Sequence, residues 1–303
     1  HAALDLRRIK TYLLTERRSL TTAEAILIPP TAVPTAVDPT VQTTLKAAVE
    51  AVREARCRNA AVMLIYGAHL LRNGAALIMD ELLRHGWVTH LATNGAGTIH
   101  DWEYAWLGRS TESVRENVAT GTFGTWEETG RNLHLAMLVG GVRPDAEGYG
   151  GSLGRFICEN GVTLPEPAEL KRLLQSEPEH PATPARADLL QAMLQHGLAA
   201  GRHRVEHRWK QASIVASAFR HGVPLTVHPG IGYDIIANHP MFNGAVIGRA
   251  AELDFRIFGG SVEQLDGGVV LSIGSAIMGP QVFEKSLSCV NNLRLQAGRP
   301  IVS

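Results

Sequence analysis

The amino-acid sequence predicts an α/β protein with a doubly wound, mostly parallel sheet. Three observations support this fold class: apolar strand-like runs alternate with helical periods, several of these runs end in glycine, and 303 residues suffice to bury a large core. The apolar fraction of 45% and the charged fraction of 19% are ordinary for a globular protein. We treat residues 1–303 as a single α/β domain with an irregular insertion at about 109–210.

The first third of the chain alternates strand and helix signals. Apolar runs that end in proline or glycine predict strands, at residues 24–30, 60–67 and 87–95. Apolar side chains at helical spacing predict helices, at residues 40–56, 70–86 and 99–108. The run AAVMLIYG at 60–67 is nearly continuous, which is typical of a strand buried on both faces of a parallel sheet.

The middle of the chain carries the strongest loop signals, and the alternation then resumes. GGVRPDAEGYGGSLG (140–154) predicts a glycine-rich connection, and SEPEHPATPARAD (176–188) predicts a proline-rich loop. Helices are predicted at 211–222, at 244–265 with a break near Gly259 and Gly260, and at 280–296, with strands at 223–230 and 267–274. We expect WVTHLATNG (87–95) and GGVVLSIG (267–274) to be central strands, because both are apolar runs that need cover on two faces.

Composition excludes several functional classes. The formal net charge is zero, with 29 basic and 29 acidic residues, so neither a nucleic acid nor a membrane surface is indicated as a partner. The three cysteines form no CxxC pair, and no apolar run approaches the roughly 20 residues that span a bilayer. The N-terminus HAALDLRRIKTY lacks the apolar stretch of a signal peptide, so we predict a soluble cytoplasmic protein.

The ends of the predicted strands are where we expect a ligand, because open parallel sheets bind ligands beyond the carboxyl ends of their strands. Four strands end in small or polar residues, at Tyr66–His69, Thr93–Gly97, His228–Gly232 and Ser272–Ala276. Glycine lets a backbone approach a ligand closely, and a following helix can bind a phosphate at its N-terminus. Tight strand-to-helix turns are the alternative for any one of these loops, whereas four together favour a nucleotide or dinucleotide.

The segment LATNGAGTIHDWE (91–103) places three ionisable side chains directly after such a loop. Asp101 and Glu103 are interpreted either as helix-start acids that complement the macrodipole or as ligands of a ribose. His100 is either a hydrogen-bonded structural histidine or a proton carrier. Asp234, in GIGYDIIANHP, is either a helix N-cap or a group that faces a cationic ligand. Histidines on separate loops, without HxH or HExxH spacing, predict no metal site.

The order of these motifs resembles the deoxyhypusine synthase family over roughly residues 60–108 and 211–290. The similar elements are LLRHGWVTHLATNGAGTIHDWE, HGVPLTVHPGIGYDII and GGVVLSIGSA, and the first of them is also similar to the archaeal-type ornithine cyclodeaminase domain. The resemblance implies an NAD-binding doubly wound fold, usually assembled as a homotetramer. It also implies a set of NAD contacts, namely Gly67, Ala68, Thr93, Asn94, Gly95, Ala96, Gly97, Gly274, Ser275 and Ala276, with Asp101 or Glu103 on a ribose.

The sequence departs from the family at two catalytic positions. The family carries a butylimine on a lysine in a Trp-Gly-Lys context, but Lys285 is the only lysine after GGVVLSIGSA and lies in the helical context VFEKSLS. The family histidine is replaced by the segment IMGPQVF. Either the sequence stops at Ser303 before its lysine, or the protein does not perform this transfer. Because truncation does not explain the missing histidine, we expect an enzyme of this type that is not a true deoxyhypusine synthase.

The leading hypothesis is an NAD-dependent enzyme, a transferase or a cyclodeaminase-like enzyme, that acts on a small amine, polyamine or basic amino acid through hydride transfer and an imine. Asp234 would hold the substrate ammonium, and His100 or His228 would move the proton. A non-catalytic NAD-binding or assembly subunit and a nucleoside binder are the alternatives. We expect a homotetramer, with Trp102, Tyr104, Trp106 and Trp126 as exposed aromatic residues in support.

Overall fold

The computed structural model describes residues 1–303, which form eight strands, thirteen α-helices and four short 3-10 helices. The strands are β1 (Thr21–Thr22), β2 (Val62–Tyr66), β3 (His90–Thr93), β4 (Arg109–Ser110), β5 (Gly161–Leu164), β6 (Gly201–Arg204), β7 (Leu225–Val227) and β8 (Val269–Ile273). The helices are α1 (Ala23–Ile26), α2 (Pro39–Cys57), α3 (Ala68–Arg72), α4 (Ala76–Arg84), α5 (Gly95–Leu107), α6 (Val114–Thr120), α7 (Glu127–Gly140), α8 (Tyr149–Glu159), α9 (Pro167–Ser176), α10 (Thr183–His196), α11 (Ile214–Arg220), α12 (Gly244–Val262) and α13 (Met278–Gln296). No helix combines the length and apolar character that crossing a bilayer requires.

The main sheet has four parallel strands in the order β7-β3-β2-β8. The chain forms β2 first, and β3 and β7 are then added in turn on one side of it. After α12 the chain returns to the other side of β2, where β8 pairs. The direction of winding therefore reverses between β2 and β8. Such a reversal is a topological switch point, where adjacent loops diverge and leave a crevice beyond the strand ends.

Helices cover both faces of this sheet, so the predicted doubly wound α/β class is confirmed. Met63 and Ile65 of β2 pack with Phe258 of α12 and with α13 on one face. Leu64 and Tyr66, which point the opposite way along the same strand, join the large core that contains residues of α4, α5, α7, α8 and α11. All five residues of β2 are buried, as its continuous apolar run predicts.

Several sequence expectations for individual elements are wrong. β3 is internal as predicted, but β8 is an edge strand that pairs only with β2. No residue of β8 is fully buried, so its apolar run predicted neither cover on both faces nor a neighbour on both sides. Residues 24–30 contain no strand, since α1 ends at Ile26, and α12 passes unbroken through Gly259 and Gly260.

The helix predicted at 70–86 is divided into α3 and α4 at Gly74. Gly74 has a φ of +83°, and a Cβ there would lie 1.7 Å from the carbonyl oxygen of Ile26. Its own carbonyl accepts a hydrogen bond from the amide of Ile28 (3.1 Å). The break therefore comes from the close approach of a distant segment, which only glycine permits.

The region 109–210 is more regular than predicted. It folds into α6 to α10 and an antiparallel pair of strands, β5 and β6. Leu133, Tyr149, Phe156 and Leu189 from this region are fully buried in the same core as the sheet. Glycine-rich and proline-rich composition misled the sequence prediction, because α8 begins inside the first segment and α10 inside the second.

The aromatic residues expected on the surface are largely interior. Trp102 and Tyr104 are at most 1% exposed, and Trp126 is 6% exposed. The exposed apolar residues lie elsewhere, most regularly on α2, where Val41, Leu45 and Val49 follow one another at helical spacing. We call these three residues the α2 stripe.

Candidate functional site

The four loops singled out in the sequence lie together at the carboxyl edge of the sheet, because the four strands that precede them run parallel. The amide of Gly67 donates to the carbonyl oxygen of Ile273 (3.1 Å), and the amide of His228 donates to that of Thr93 (2.8 Å). A Cβ on Gly67 would lie 2.0 Å from the carbonyl oxygen of Gly274. The absence of a side chain at Gly67 therefore lets the two switch-point loops touch.

Several backbone amides without a hydrogen-bond acceptor lie at the switch point. The amides of Ser275, Ala276, Ile277 and Met278 have no acceptor within the chain, and α13 begins without a side-chain cap. The side-chain oxygen of Ser275 is used to accept the amide of Gly279 (3.0 Å). Free amides at the start of a long helix present positive charge to an anion. These residues therefore fit the phosphates of a dinucleotide such as NAD.

The N-terminus of α5 differs from that of α13, because a carboxylate of the protein itself, that of Asp234, lies against it. Asn94 is the N-cap and accepts the amide of Gly97 (2.9 Å). The carboxylate of Asp234 accepts the amides of Gly230 (2.7 Å) and Ala96. A Cβ on Gly95 would lie 2.2 Å from the nearer carboxylate oxygen. The amide of Ala96 is thus used by Asp234 and the amide of Gly97 by Asn94, so neither is left open to a ligand.

Asp234 forms one wall of a cavity of about 200 Å³ beside this helix. Its lining is rich in ionisable groups, namely Arg17, Arg72, His100, Glu103, Glu112, Tyr233 and Asp234. Asp234 is 5% exposed, and burial raises its pKa to about 6, against the lowering effect of its two amide donors. At neutral pH it therefore presents a carboxylate to the cavity.

His100 is held in one orientation by a relay of hydrogen bonds. Its Nδ1 lies 2.8 Å from the hydroxyl oxygen of Ser110, and that hydroxyl donates to the carboxylate of Glu103 (2.5 Å). Because the Ser110 hydrogen points to Glu103, Nδ1 of His100 must be the donor, which leaves a lone pair on Nε2. Nε2 has no partner within the chain and is not enclosed. Burial lowers the pKa of His100 to about 4, so the ring is neutral at pH 7 and its Nε2 lone pair is free.

The two arginines of the cavity differ in their partners. Arg17 is 4% exposed and donates to both oxygens of Glu103 (2.8 and 2.7 Å), with Glu112 3.8 Å away. Arg72 has no carboxylate within ion-pair distance, although it lies close enough to lower the pKa of His100. The free guanidinium of Arg72 and the carboxylate of Asp234 therefore offer opposite charges to one small ligand.

Two predicted site residues lie away from the cavity. Asp101 is 1% exposed and accepts the hydroxyl of Ser213 and the amides of Ile214 (2.7 Å) and Val215 (3.2 Å), so it caps α11. His228 lies on the α12 side of the sheet, with Nε2 3.1 Å from the hydroxyl oxygen of Thr226 and its ring edge-on to Phe258. Neither residue reaches the cavity that contains His100 and Asp234.

Glu103 lines the cavity, but its oxygens are committed to protein donors. Besides Arg17 and Ser110 it accepts the hydroxyl of Thr129 (2.9 Å). Asp101 and Glu103, the two acids of LATNGAGTIHDWE, therefore both have structural partners that compete with any ribose. Thr93 is likewise engaged, since its hydroxyl donates to the carbonyl oxygen of Tyr66 (2.9 Å).

Sequence reasoning missed Arg17, Arg72, Ser110, Glu112 and Tyr233. Arg72 follows the predicted loop at 66–69 by three residues, so its position on the first turns after a strand was an available signal. Tyr233 directly precedes Asp234, so its place beside a predicted site residue was also an available signal. The other three approach only through tertiary packing, and Arg17 lies 86 residues from its partner Glu103. No local pattern marks them.

No protein-family model and no curated protein matches the sequence. Among solved structures, ArgZ, an arginine dihydrolase from the ornithine-ammonia cycle in Cyanobacteria, is similar over 84% of this chain and 26% of that chain, with 11% identity and a TM-score of 0.41. AgrE, crystallised with ornithine and NAD+, is similar over 84% and 27%, with 12% identity and a TM-score of 0.39. A candidate deoxyhypusine synthase from Entamoeba histolytica is similar over 72% and 59%, with 12% identity and a TM-score of 0.33. The chain spans about a quarter of the length of the first two structures.

Proposed function

We propose that the chain is an NAD-dependent enzyme that oxidises a carbon bearing nitrogen in a small amine or basic amino acid. The observation that carries this proposal is the cavity that joins a buried carboxylate, a free guanidinium and a neutral, oriented imidazole. It lies at the carboxyl edge of a sheet with a switch point, where α/β proteins bind nucleotides.

NAD, when bound, supplies the hydride acceptor. The free amides of Ser275 to Met278 are the groups that would hold its phosphates, and Gly67 and Gly274 keep the two switch-point loops in contact. NAD therefore has backbone donors available at the switch point, while its ribose has no free carboxylate among Asp101 and Glu103.

The residues of the cavity have separate roles in substrate binding and in proton transfer. Asp234 binds the ammonium group that stays charged, and Arg72 binds a carboxylate where the substrate has one. His100 accepts, at Nε2, a proton from the reacting nitrogen as the hydride leaves the adjacent carbon, so that a carbon–nitrogen double bond forms. Water then adds to this imine, or a second amine attacks it. Ser110 and Glu103 keep the imidazole in the accepting tautomer.

The test compares two alanine-to-glutamate variants at opposite ends of α13. Ala276→Glu places a carboxylate among the free amides, so we expect NAD affinity to fall at least tenfold at unchanged stability. Ala297→Glu, at the other exposed end, is the matched control and leaves NAD affinity unchanged. Equal NAD affinity in both variants would exclude the switch point as the cofactor site.

Turnover is measured as NADH absorbance with ornithine, arginine, lysine, putrescine and spermidine. Turnover with one of these substrates supports the enzyme. NAD binding without turnover on the whole panel supports the alternative, a non-catalytic NAD-binding subunit. Transfer of an aminobutyl group to a protein lysine is not expected, because the lysine and the histidine of the deoxyhypusine synthase pattern are not found in this chain.

A further inference from the structure

A second cleft, of about 700 Å³, lies apart from the candidate site. It lies between the end of α5, one face of α7 and the segment that follows β6, and none of its lining residues belongs to the strand-end loops. Along α5, Trp106 in this cleft is 11 residues from Gly95 at the site end, or about 16 Å at the rise of a helix. The cleft, which we call the arginine cleft, is thus independent of the site described above.

Two tryptophans form apolar surfaces of the arginine cleft. Trp106 and Trp209 are both partly exposed there. One face of the Trp106 indole is covered by Trp102, with the ring centroids 5.2 Å apart and nearly parallel. The opposite face of Trp106 is therefore the one available to a planar ligand, and offset stacking is one of the two arrangements that aromatic rings favour.

Three arginines line the same cleft without strong partners. Arg204 has no carboxylate within ion-pair distance. The nearest carboxylate oxygens lie 3.7 Å from Arg131 and 3.8 Å from Arg208, beyond hydrogen-bonding distance. None of the three guanidinium groups donates a hydrogen bond within the chain, although a guanidinium offers five N–H donors. Such groups suit a phosphate, which accepts several charge-assisted hydrogen bonds at once.

The cleft also holds a buried acceptor. Asn132 is 6% exposed, and its Nδ2 donates to the carbonyl oxygen of Glu128 (2.8 Å). Its Oδ1 has no partner and is not enclosed, so the oxygen faces the cleft. Beneath the cleft, the buried ring nitrogens of His207 and Nε1 of Trp102 also lack partners. Oδ1 of Asn132 is therefore a free acceptor in the cleft, and unpartnered polar atoms in buried side chains are rare in folded proteins.

We propose that the arginine cleft binds a nucleoside monophosphate whose base carries an amino group. The base stacks on the open face of Trp106, its amino group donates to Oδ1 of Asn132, and its phosphate accepts from Arg204 with Arg131 and Arg208 beside it. The cleft volume lies within the 300–1,000 Å³ that is typical of small-molecule sites. Each of the three ligand parts thus meets a group that is otherwise unused.

The experiment titrates the full chain with AMP and, in separate arms, with adenosine and with inorganic phosphate, by calorimetry and tryptophan fluorescence. AMP is expected to bind at least tenfold more tightly than either fragment and to change the tryptophan signal. Arg204→Ala is expected to weaken AMP at least fivefold. The matched control is Arg115→Ala, which removes an exposed arginine of α6 outside the cleft, and its AMP affinity stays within twofold of the parent.

The Ala276→Glu variant separates this proposal from the cofactor site. AMP binding that is lost in Ala276→Glu but kept in Arg204→Ala would assign AMP to the switch point and overturn the arginine cleft. The same conclusion follows if AMP does not bind at millimolar concentration, or if Arg204→Ala and Arg115→Ala behave alike. Retained AMP binding in a variant that has lost NAD supports two separate sites.

Discussion

Asp234→Asn is the substitution that most directly tests the charge of the candidate site. It keeps the size of the side chain and one acceptor for the amide of Gly230, but it removes the negative charge from the cavity wall. A hydrogen bond to a charged group contributes about 1.5–3 kcal/mol, so the dissociation constant of an amine ligand should rise about 10- to 150-fold. NAD affinity should stay within twofold, since the free amides at the switch point are unaffected.

The pH dependence of ornithine binding is a second test of the charge on Asp234. Burial raises the pKa of Asp234 to about 6, so the parent protein should bind ornithine with constant affinity above pH 7 and lose affinity as the pH falls towards 5. His100, with its pKa lowered to about 4, does not titrate in this range. Asp234→Asn should bind weakly and equally between pH 5 and pH 8. The measurement is calorimetric titration with ornithine at four pH values.

The control for this experiment is Asp145→Asn, an exposed acid in the loop before α8. It should leave both the affinity and the pH profile of the parent unchanged. The reasoning is refuted if Asp234→Asn binds ornithine as tightly as the parent, or if the variant keeps the same loss of affinity below pH 6. Either result would mean that another group receives the ammonium.

Three further predictions concern catalysis, stability and assembly. His100→Gln should lower turnover about 10²- to 10⁴-fold without changing NAD binding, measured by NADH absorbance, because the proton acceptor is lost. Arg17→Met should lower the free energy of unfolding by about 3–5 kcal/mol in urea, because the charge of Glu103 is left buried without its partner; a smaller change than 1 kcal/mol would contradict this. The α2 stripe is uncharged, so two copies of it can face each other without repulsion. Leu45→Glu should therefore dissociate the expected tetramer, measured by light scattering, whereas the control Val118→Glu should not.

Much of the fold was predictable because strands and helices leave local patterns of apolar residues in the sequence. The apolar runs that became β2, β3, β7 and β8, and the helical periods of α2 and α13, were all recognised from spacing. Errors arose where a distant segment decides the outcome. The division of the helix at Gly74 depends on Ile26, and the edge position of β8 depends on which strands pair beside it. Neither relation can be inferred from the spacing of apolar residues within one segment.

The candidate site, like the fold, was determined partly by local sequence and partly by tertiary structure. The sequence by itself determined that glycine-rich loops follow four parallel strands, and therefore that they share one edge of the sheet. Only the tertiary structure decided what each acid does: Asp101 caps a helix more than 110 residues away, Glu103 pairs with Arg17, and Asp234 turns back onto α5 and the cavity beside it. The physical reason is that a carboxylate taken out of water must find donors wherever the fold places them, and chain separation does not limit that choice.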